Sequence, residues 1–297
     1  MKSFIIHIVL KFIKLIINYT PFLFEILLWK IKILLKRILK YRKKVIKSNL
    51  TNSFGKTFSN DEIELIMNQY YDVLIRYFRE SMYIMAWPKE KLLNAIRPSN
   101  TEEWERFSAM NTSCIVTASH YGNWEMNMVL FPTLIKSRVV AFYKPISNKL
   151  IDSVMHNIRS KYGLELYPIE QTARIMTKLK HEQVMYIFIG DQTPVNMNGV
   201  YWNTFLNQKT PWLNGAEKLA KKYNLSVVYL KQIPESVQQE NVFYTLDILP
   251  ISDSKDIGEV NVTEKYTRIL EEEIILTPKY WLWSHKRWKR AHFFKEE

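Results

Sequence analysis

The sequence predicts an α/β fold, with a central, mostly parallel sheet flanked by helices. Strand-like and helix-like stretches alternate after residue 113, and 47% of the 297 residues are hydrophobic. Such alternation is typical of a parallel sheet with helices on its faces, and the chain is long enough to bury a sizeable core. The single cysteine, Cys114, excludes an intramolecular disulfide and suits a reducing compartment. Because it falls inside a strand-like stretch, we expect it to be buried and inert.

The alternating pattern can be followed element by element. The predicted strands are 113–118, 138–143, 164–168, 184–189, 225–231 and 242–249. The predicted helices are 123–131, 149–161, 171–181, 212–223 and 262–275. Residues 190–211, with two glycines and two prolines, are predicted to be a long loop of the kind that often carries function.

Helices are also predicted ahead of this region. Ser59 or Asn60 can cap a helix with an acidic first turn, and the apolar pattern continues to about Ala86. Another helix is predicted to start at Thr101. The alternating region is therefore preceded by mainly helical sequence.

Positive charge is concentrated in the first 47 residues. They hold twelve Lys or Arg residues and one acid, Glu25, a net charge of +11 out of +13 for the whole chain. A nucleic-acid-binding protein would more often carry its charge across a folded face. Here the basic residues are interleaved with Ile, Leu, Phe and Trp, which favours an anionic membrane surface as the partner. We therefore predict a membrane-associating helical segment over 1–47, a globular domain over 48–297, and no nucleic-acid partner.

The apolar stretch from Phe4 to Leu39 leaves three interpretations open: an interfacial or partly inserted anchor, a single membrane span, or an amphipathic helix that covers the core. Lys11 and Lys14 interrupt it, so it falls short of the roughly 20 apolar residues of a spanning helix, although lysines can snorkel. An apolar helix flanked by basic residues can lie in an anionic interface, where each contributes about 1 kcal/mol. Under either membrane interpretation, positive charge after the apolar part places the domain on the cytoplasmic side.

The most informative motif is Ser-His-Tyr-Gly-Asn-Trp-Glu at 119–125, between a predicted strand and a predicted helix. His120 is a candidate general base, and Glu125 is a candidate partner that would orient it. Residues five apart are about 140° apart on a helix, so the two would not meet on one helix face. A turn at Gly122, with Asn123 as the N-cap, would let Glu125 fold back toward His120. The spacing alone is weak support, because a histidine at a strand end is often only structural.

Other chemistries lack their signatures. Ser119 and His120 point to opposite faces if the strand continues, which disfavours a serine nucleophile, and the Gly-x-Ser-x-Gly elbow of serine hydrolases is absent. Seven glycines supply no phosphate-binding or dinucleotide fingerprint. The histidines are scattered without zinc-like spacing. We therefore expect neither a cofactor nor a metal.

The motif at 119–125 resembles the His-x4-Asp/Glu block of the bacterial lipid A biosynthesis (late, lauroyl/myristoyl) acyltransferase family, within the lysophospholipid acyltransferase superfamily and the glycerolipid acyltransferase fold. The resemblance covers most of the chain. Several further segments occur in the same order as in the family. They are the apolar and basic N-terminus, Tyr41–Val45, Asn49-Leu50, Phe78–Glu80, Tyr143–Pro145, Asn148, Asp191-Gln192 and Trp281–Lys289.

Two positions depart from the family's pattern. Lys144 stands where the family usually has arginine, which keeps the charge but loses the bidentate fork for a phosphate or carboxylate. Asp191 stands alone where an Asp-x-Asp run is often seen. The first departure bears on which head group the acceptor carries.

The resemblance implies transfer of a fatty acyl chain from an acyl carrier protein thioester to a hydroxyl of a membrane glycolipid, a lipid A precursor, at the cytoplasmic face of the inner membrane. His120 would be the general base, a role worth typically 10²–10⁴-fold, and Glu125 would fix its tautomer and stabilise the imidazolium. Acylation of a lysophospholipid or an amine-headed lipid stays open. A catalytically silent membrane-surface protein also stays open, although intact His120 and Glu125 favour an enzyme.

Candidate substrate-binding residues complete the prediction. Lys144 and Arg159 are candidates for the acceptor's anionic head group or for the developing oxyanion. Asn123, Asn148 and Asp191 are further candidates for substrate binding. The acyl chain needs an apolar groove, for which the candidates are Trp202, Phe205 and Trp212. The basic and aromatic block from Trp281 to Arg290 would contact the acidic carrier protein or the membrane interface, or simply cap the sheet.

Overall fold

The computed structural model describes residues 2–99, 101–235 and 242–294, with side chains from residue 11 onward. The first residue of the predicted anchor and residues 100, 236–241 and 295–297 of the predicted globular domain lie outside the described residues.

A mostly parallel sheet forms the centre of the described chain. In chain order its strands are β1 (Ile96–Pro98), β2 (Cys114–Ala118), β3 (Arg138–Tyr143), β4 (Leu164–Pro168), β5 (Val184–Ile189), β6 (Tyr201–Phe205), β7 (Gln208–Trp212), β8 (Ser226–Pro234) and β9 (Tyr244–Ser252). Among the described residues, seven strands share one sheet in the order β1-β9-β8-β2-β5-β3-β4, while β6 and β7 pair separately. Within the sheet, β8 and β9 are antiparallel and the other neighbours are parallel.

Helices cover both faces of the sheet, which confirms the predicted fold class. They are α1 (Lys2–Tyr19), α2 (Pro21–Ile33), α3 (Lys43–Phe54), α4 (Asn60–Ala86), α5 (Lys89–Leu93), α6 (Glu102–Ser108), α7 (Trp124–Leu130), α8 (Lys149–Arg159), α9 (Thr172–Lys178), α10 (Gly215–Tyr223) and α11 (Val262–Leu276). Val116 of β2 packs in the core on one face of the sheet, and its neighbour Ile115 packs in the core on the other. Because both faces are covered, β2 is buried along its whole length.

Two local predictions are confirmed. The long helix α4 begins with a capping box, in which Ser59 and Glu62 each accept a hydrogen bond from the other's backbone N–H. Cys114 is fully buried in β2, and burial raises the pKa of its thiol to about 12. The thiol therefore stays protonated near neutral pH and unreactive.

The prediction of a long loop over 190–211 is wrong for its second half. That half forms the β6–β7 hairpin, whose turn residues Leu206 and Asn207 have φ angles of +46° and +62°. Left-handed conformations at both central residues suit the twist of a two-residue hairpin, but a leucine there gives no turn signal in the sequence. Trp212 therefore ends a strand, and the helix predicted from this residue begins at Gly215.

The N-terminal helices have two different surfaces. Toward the protein, Ile17, Phe24 and Leu28 are buried, and α1 and α2 pack against α4. Away from it, Phe22, Leu23, Leu27 and Trp29 are exposed. Within the described residues no single helix has the length and apolar composition to cross a membrane. The helical stretches Lys11–Tyr19 and Pro21–Ile38 have this length and apolar composition when they are taken together, but the chain bends by 114° between them.

Candidate active site

The register between β2 and β5 brings two polar residues together at the edge where these strands end. Ala118 and Ile189, the last residues of the two strands, are direct partners in the parallel pairing. His120 and Asp191 each follow two positions later, so the chain delivers both to the same place. The carboxyl ends of strands in an open α/β sheet are where such folds bind their ligands.

His120 and Asp191 form a tightly bonded pair. The ring atom Nδ1 of His120 lies 2.6 Å from Oδ1 of Asp191, and the His120 backbone N–H donates to Oδ2 at 2.9 Å. An ionised carboxylate only accepts hydrogen bonds, so in a neutral imidazole the proton is on Nδ1 and the lone pair is on Nε2. The amide nitrogen of Gln192 lies 3.1 Å from Nε2, and the Trp124 ring packs edge-on against the imidazole. His120 thus presents a basic nitrogen held in one tautomer.

The Asp191 carboxylate is buried, with 2% of the residue exposed, and it is held by three donors. Besides the ring and backbone of His120, the indole Nε1 of Trp281 donates to Oδ2 at 2.9 Å. Burial by itself raises the pKa of Asp191, but the charge and hydrogen bonds of His120, together with the indole, outweigh burial and hold the pKa below its ordinary value. Asp191 therefore remains a carboxylate, which is the state that can orient and stabilise an imidazolium.

Glu125 does not occupy the place that the sequence predicted for it. Its carboxylate accepts two hydrogen bonds from Arg159, from Nε at 2.9 Å and from Nη2 at 2.5 Å. Glu125 lies in the first turn of α7 and Arg159 at the end of α8, so the pair ties these helices together. Asp191, placed by strand pairing, takes the position beside His120 Nδ1. The sequence predicts Asp191 as a site residue, but in a substrate-binding role.

The turn after His120 explains how Trp281 reaches Asp191. Gly122 has a φ of +70°, a conformation that favours glycine, and a Cβ atom there would make a tight contact, 3.1 Å from Oε1 of Gln232. Its N–H donates to the Tyr280 carbonyl at 3.2 Å, and Tyr121 forms an isolated antiparallel bridge with Trp281. The C-terminal segment is therefore paired to the turn that carries the histidine.

The same C-terminal segment fixes the loop that follows Asp191. The Thr193 hydroxyl donates to the Arg287 carbonyl at 2.6 Å, and its backbone N–H donates to Nε2 of His285 at 3.1 Å. Burial, followed by the charge of Arg287, lowers the pKa of His285 to about 4. His285 is therefore neutral near pH 7 and able to accept this hydrogen bond. Neither Thr193 nor His285 was among the predicted site residues.

Helices α3 and α4 hold the C-terminal segment in place. The side-chain amide of Asn49 in α3 donates to the carbonyls of Trp283 and His285, each at 2.9 Å, and Tyr70 of α4 donates to the Ser284 hydroxyl at 2.9 Å. Trp281, Trp283 and Arg287 are buried, and Lys286 and Lys289 are exposed. The buried side chains of the Trp281–Arg290 block therefore pack inside the protein, and contact of its exposed lysines with a carrier protein or the membrane stays a prediction.

A pocket of about 740 Å³ is lined by His120. Its apolar side includes residues of α7, β3, β4 and β5 with one from the C-terminal block, among them Met128, Ala141, Leu166, Ile187, Ile189 and Leu282. Its polar side includes Lys144, the Glu125–Arg159 pair and Gln192. The pocket therefore joins an apolar surface to charged groups beside the histidine.

Several predicted site residues lie elsewhere. Phe205 and Trp212 are fully buried in the core, and Trp202 packs against Phe294, so none of the three lines the pocket. Asn123 is 2% exposed and is occupied as the N-cap of α7 and as a donor to Glu80. Asn148 caps α8 and does not line the pocket either. The Asn123 and Asn148 amides cap helices, and the Trp212 indole donates to Oδ1 of Asn203 at 2.8 Å, so these polar groups are used for folding.

Comparison with known proteins gives concordant results. The family model described as bacterial lipid A biosynthesis acyltransferase matches residues 1–290. The chain is 20% identical over 251 residues to the lipid A biosynthesis palmitoleoyltransferase of Escherichia coli K12, an alignment that covers 84% of this chain and 80% of the relative. It shows the same identity and coverage with the lipid A biosynthesis acyltransferase of Shigella flexneri.

Proposed function

Because the chain belongs to the bacterial lipid A biosynthesis acyltransferase family and is an acyltransferase, we propose that it moves a fatty acyl chain from an acyl carrier protein thioester to a hydroxyl of a lipid A precursor. His120 is the general base in this proposal, and Asp191 is the residue that orients it. The observation that carries the assignment is the buried carboxylate 2.6 Å from Nδ1, since it leaves Nε2 as the basic nitrogen of a residue that lines the pocket.

The proposed acyl transfer needs no nucleophile from the protein. The acceptor hydroxyl takes the place of the Gln192 amide at Nε2 and passes its proton to this nitrogen as its oxygen attacks the thioester carbonyl. The tetrahedral intermediate then collapses, the carbon–sulfur bond breaks, and the imidazolium returns the proton to the leaving thiolate. Asp191 stabilises the imidazolium between these two steps, as the carboxylate does in serine-protease triads. Ser119 takes no part, because its buried hydroxyl is bonded to that of Tyr229.

Cationic groups at the pocket suit the charge that develops on the carbonyl oxygen. Lys144 and Arg159 both line the pocket, and either could face an oxyanion or an anionic head group. Glu125 engages Nε and Nη2 of Arg159 and so fixes the plane of the guanidinium. In this proposal Glu125 positions Arg159 and acts on the reaction only through it.

The apolar side of the pocket suits the acyl chain. Met128, Ala141 and Ile187 present hydrocarbon next to the histidine, and burying each methylene of a fatty chain contributes about 0.8 kcal/mol. A chain seated there would have its thioester carbon near Nε2. We assign this surface to the acyl chain in place of Trp202, Phe205 and Trp212.

The membrane is the source of the acceptor in this proposal. Exposed apolar residues of α2 lie in the same segment as most of the excess positive charge, a combination that favours the interface of an anionic leaflet. The positive-inside rule supports a catalytic domain on the cytoplasmic face of the inner membrane, the side on which it would meet acyl carrier protein in this proposal.

The test is an assay with purified protein, acyl-acyl carrier protein and, in separate reactions, a lipid A precursor, a lysophospholipid and an amine-headed lipid. We expect product with the lipid A precursor and its loss in His120→Ala, with an unchanged circular dichroism spectrum. Turnover only with one of the other lipids would reassign the acceptor while keeping the acyltransferase chemistry. Near-normal turnover of His120→Ala would remove the base assignment, and lipid analysis of a deletion strain would identify the acceptor independently.

A further inference from the structure

A second, smaller pocket lies on the N-terminal side of the molecule and shares no residue with the catalytic one. It has a volume of about 240 Å³, the space of roughly eight waters at about 30 Å³ each. Four cationic side chains line it, together with one acid and a few other α4 residues: Lys36, Arg37, Lys40, Lys43, Glu64, Met67, Asn68 and Tyr71. We call this group the basic cup, and we propose that it binds the phosphodiester head group of an anionic phospholipid.

The positive charge of the basic cup is only partly offset from within the protein, since Glu64 is the one acid among its described lining residues. Neighbouring cations do find carboxylates, since Lys32 pairs with Asp72 and Arg79 pairs with Glu25. Within the described residues, none of the four cations of the cup makes an ion pair with an acid. Four like charges around one concavity repel each other, Glu64 offsets one of them, and an anion in the cup relieves the remaining repulsion.

The backbone departs from regular geometry where it forms the cup. Residues Leu34–Ile38 are π-helical, and Lys40 and Arg42 have φ angles of +47° and +50°, which are unfavourable for side chains other than glycine and asparagine. Such irregularities persist only where surrounding contacts hold them, and they cluster at functional sites. Here they turn the chain so that cations before and after the bend converge on one pocket.

The floor of the cup is formed by buried residues of α4, one of which is hydrogen-bonded to the bend. Met67 and Tyr71 of α4 are each 2% exposed, and the Tyr71 hydroxyl donates to the Tyr41 carbonyl at 2.8 Å, which fixes the bend against the helix. Arg42 reaches the other way and donates to the Ser284 carbonyl at 3.1 Å. The cup is therefore held by long-range contacts on both sides, unlike a solvated run of lysines.

The surroundings of the cup favour a lipid over a free ion. Leu34, Ile38 and Leu39 border the cup in sequence and are 41%, 69% and 60% exposed, so acyl chains have an apolar surface next to the head group. The cations would hold the phosphate, and Glu64 and Asn68 would accept hydrogen bonds from head-group hydroxyls. Phosphatidylglycerol has both a single negative charge and two such hydroxyls, and it is the ligand we commit to for the test.

The experiment compares two variants of the full chain that lose the same charge. The cup variant is Lys36→Gln, Arg37→Gln, Lys40→Gln and Lys43→Gln; the control is Lys11→Gln, Lys14→Gln, Lys30→Gln and Lys44→Gln, on the same segment but outside the cup. Binding of dihexanoyl phosphatidylglycerol below its micellar concentration, of inorganic phosphate, and of acyl carrier protein is measured by calorimetry. Co-sedimentation with phosphatidylcholine vesicles, with and without phosphatidylglycerol, is measured in parallel.

We expect saturable binding of the short-chain lipid by the native chain and by the control, and at least a tenfold weaker affinity in the cup variant. Equal loss in both variants would show that diffuse charge alone binds the membrane and would overturn the proposal. Inorganic phosphate binding as tightly as the lipid would overturn the lipid assignment, and loss of carrier-protein binding with intact lipid binding would assign the cup to that protein instead. If the fourfold variant fails to fold, Arg37→Gln and Lys40→Gln, both at exposed positions, are measured singly by the same criteria.

Discussion

Asp191 and His120 are 71 positions apart in the sequence, yet Oδ1 of the first lies 2.6 Å from Nδ1 of the second. The pairing of Ala118 with Ile189 places them there, because the two residues follow the ends of adjacent parallel strands by the same number of positions. Glu125, only five positions from His120, is bonded to Arg159 instead. Substitutions of Asp191 and of Glu125 should therefore affect catalysis to different extents.

Asp191→Asn should lower kcat far more than Glu125→Gln does. An asparagine at this site favours the wrong imidazole tautomer and cannot stabilise the imidazolium, a change worth roughly 10³–10⁴-fold in triads of this type. Glu125→Gln weakens only the Arg159 pair and should cost roughly tenfold. Steady-state kinetics with acyl-acyl carrier protein check this, and an equal loss in the two variants would contradict the geometric assignment.

Trp281→Phe should lower kcat with little change in KM. The substitution keeps the aromatic packing but removes the indole donor to the buried Asp191 carboxylate, and a hydrogen bond to a charged group is worth about 1.5–3 kcal/mol. The pKa of Asp191 rises when the donor is lost. The acid limb of the pH–rate profile should therefore shift to higher pH.

Trp283→Phe is the matched control for that variant. Its indole N–H donates to the Pro278 carbonyl at 2.6 Å and does not touch Asp191. Both variants should lose some thermal stability, but only Trp281→Phe should shift the acid limb of the profile. A shift of the same size in Trp283→Phe would reduce Trp281 to a packing residue.

Ala141→Leu should change the preferred acyl chain to a shorter one. Ala141 lines the apolar side of the pocket, and three added carbons there remove space for the end of a chain. Discrimination of one methylene in an apolar pocket is worth about 1–3 kcal/mol, so the ratio of kcat/KM between a short and a long donor should change by at least tenfold. Ala173→Leu, the same substitution at an exposed position of α9 that does not line the pocket, is the control and should leave this ratio unchanged.

Glu273→Gln should stabilise the protein above neutral pH. The Glu273 carboxylate in α11 accepts a hydrogen bond from the Tyr229 hydroxyl, and burial raises its pKa from 4.5 to about 7. A carboxyl with a raised folded-state pKa contributes fully to stability below its unfolded pKa and loses that contribution as pH rises through the folded value. The native chain should therefore lose up to about 3 kcal/mol between pH 4.5 and 7 from this group.

Urea unfolding of the native chain and of Glu273→Gln across this pH range measures the effect. The glutamine carbonyl can still accept from Tyr229, so the two proteins should have similar stability near pH 4 and diverge in favour of the variant by pH 8. Parallel curves over the whole range would show that Glu273 titrates at its ordinary pKa.

The sequence by itself determined the order and kind of most elements of the α/β region. Apolar runs separated by helical periods predicted β2, β3, β4 and β5 within one or two residues, and the Ser59–Glu62 pattern located the start of α4, because both signals are local. Local sequence signals also identified His120 and the turn at Gly122. Prediction from local signals failed at the β6–β7 hairpin, because Leu206 has a left-handed conformation there and no glycine indicates the turn.

Only the tertiary structure decided which carboxylate serves the histidine. β5 is the fourth strand of the sequence run that begins with β2, yet it pairs with β2 in the sheet, and no periodicity in the chain encodes this order. The order depends on crossover helices packing back on the sheet. For the same reason, the donor role of Trp281 and the convergence of four cations in the basic cup could not be found from spacing, since each joins segments that meet only after the core has formed.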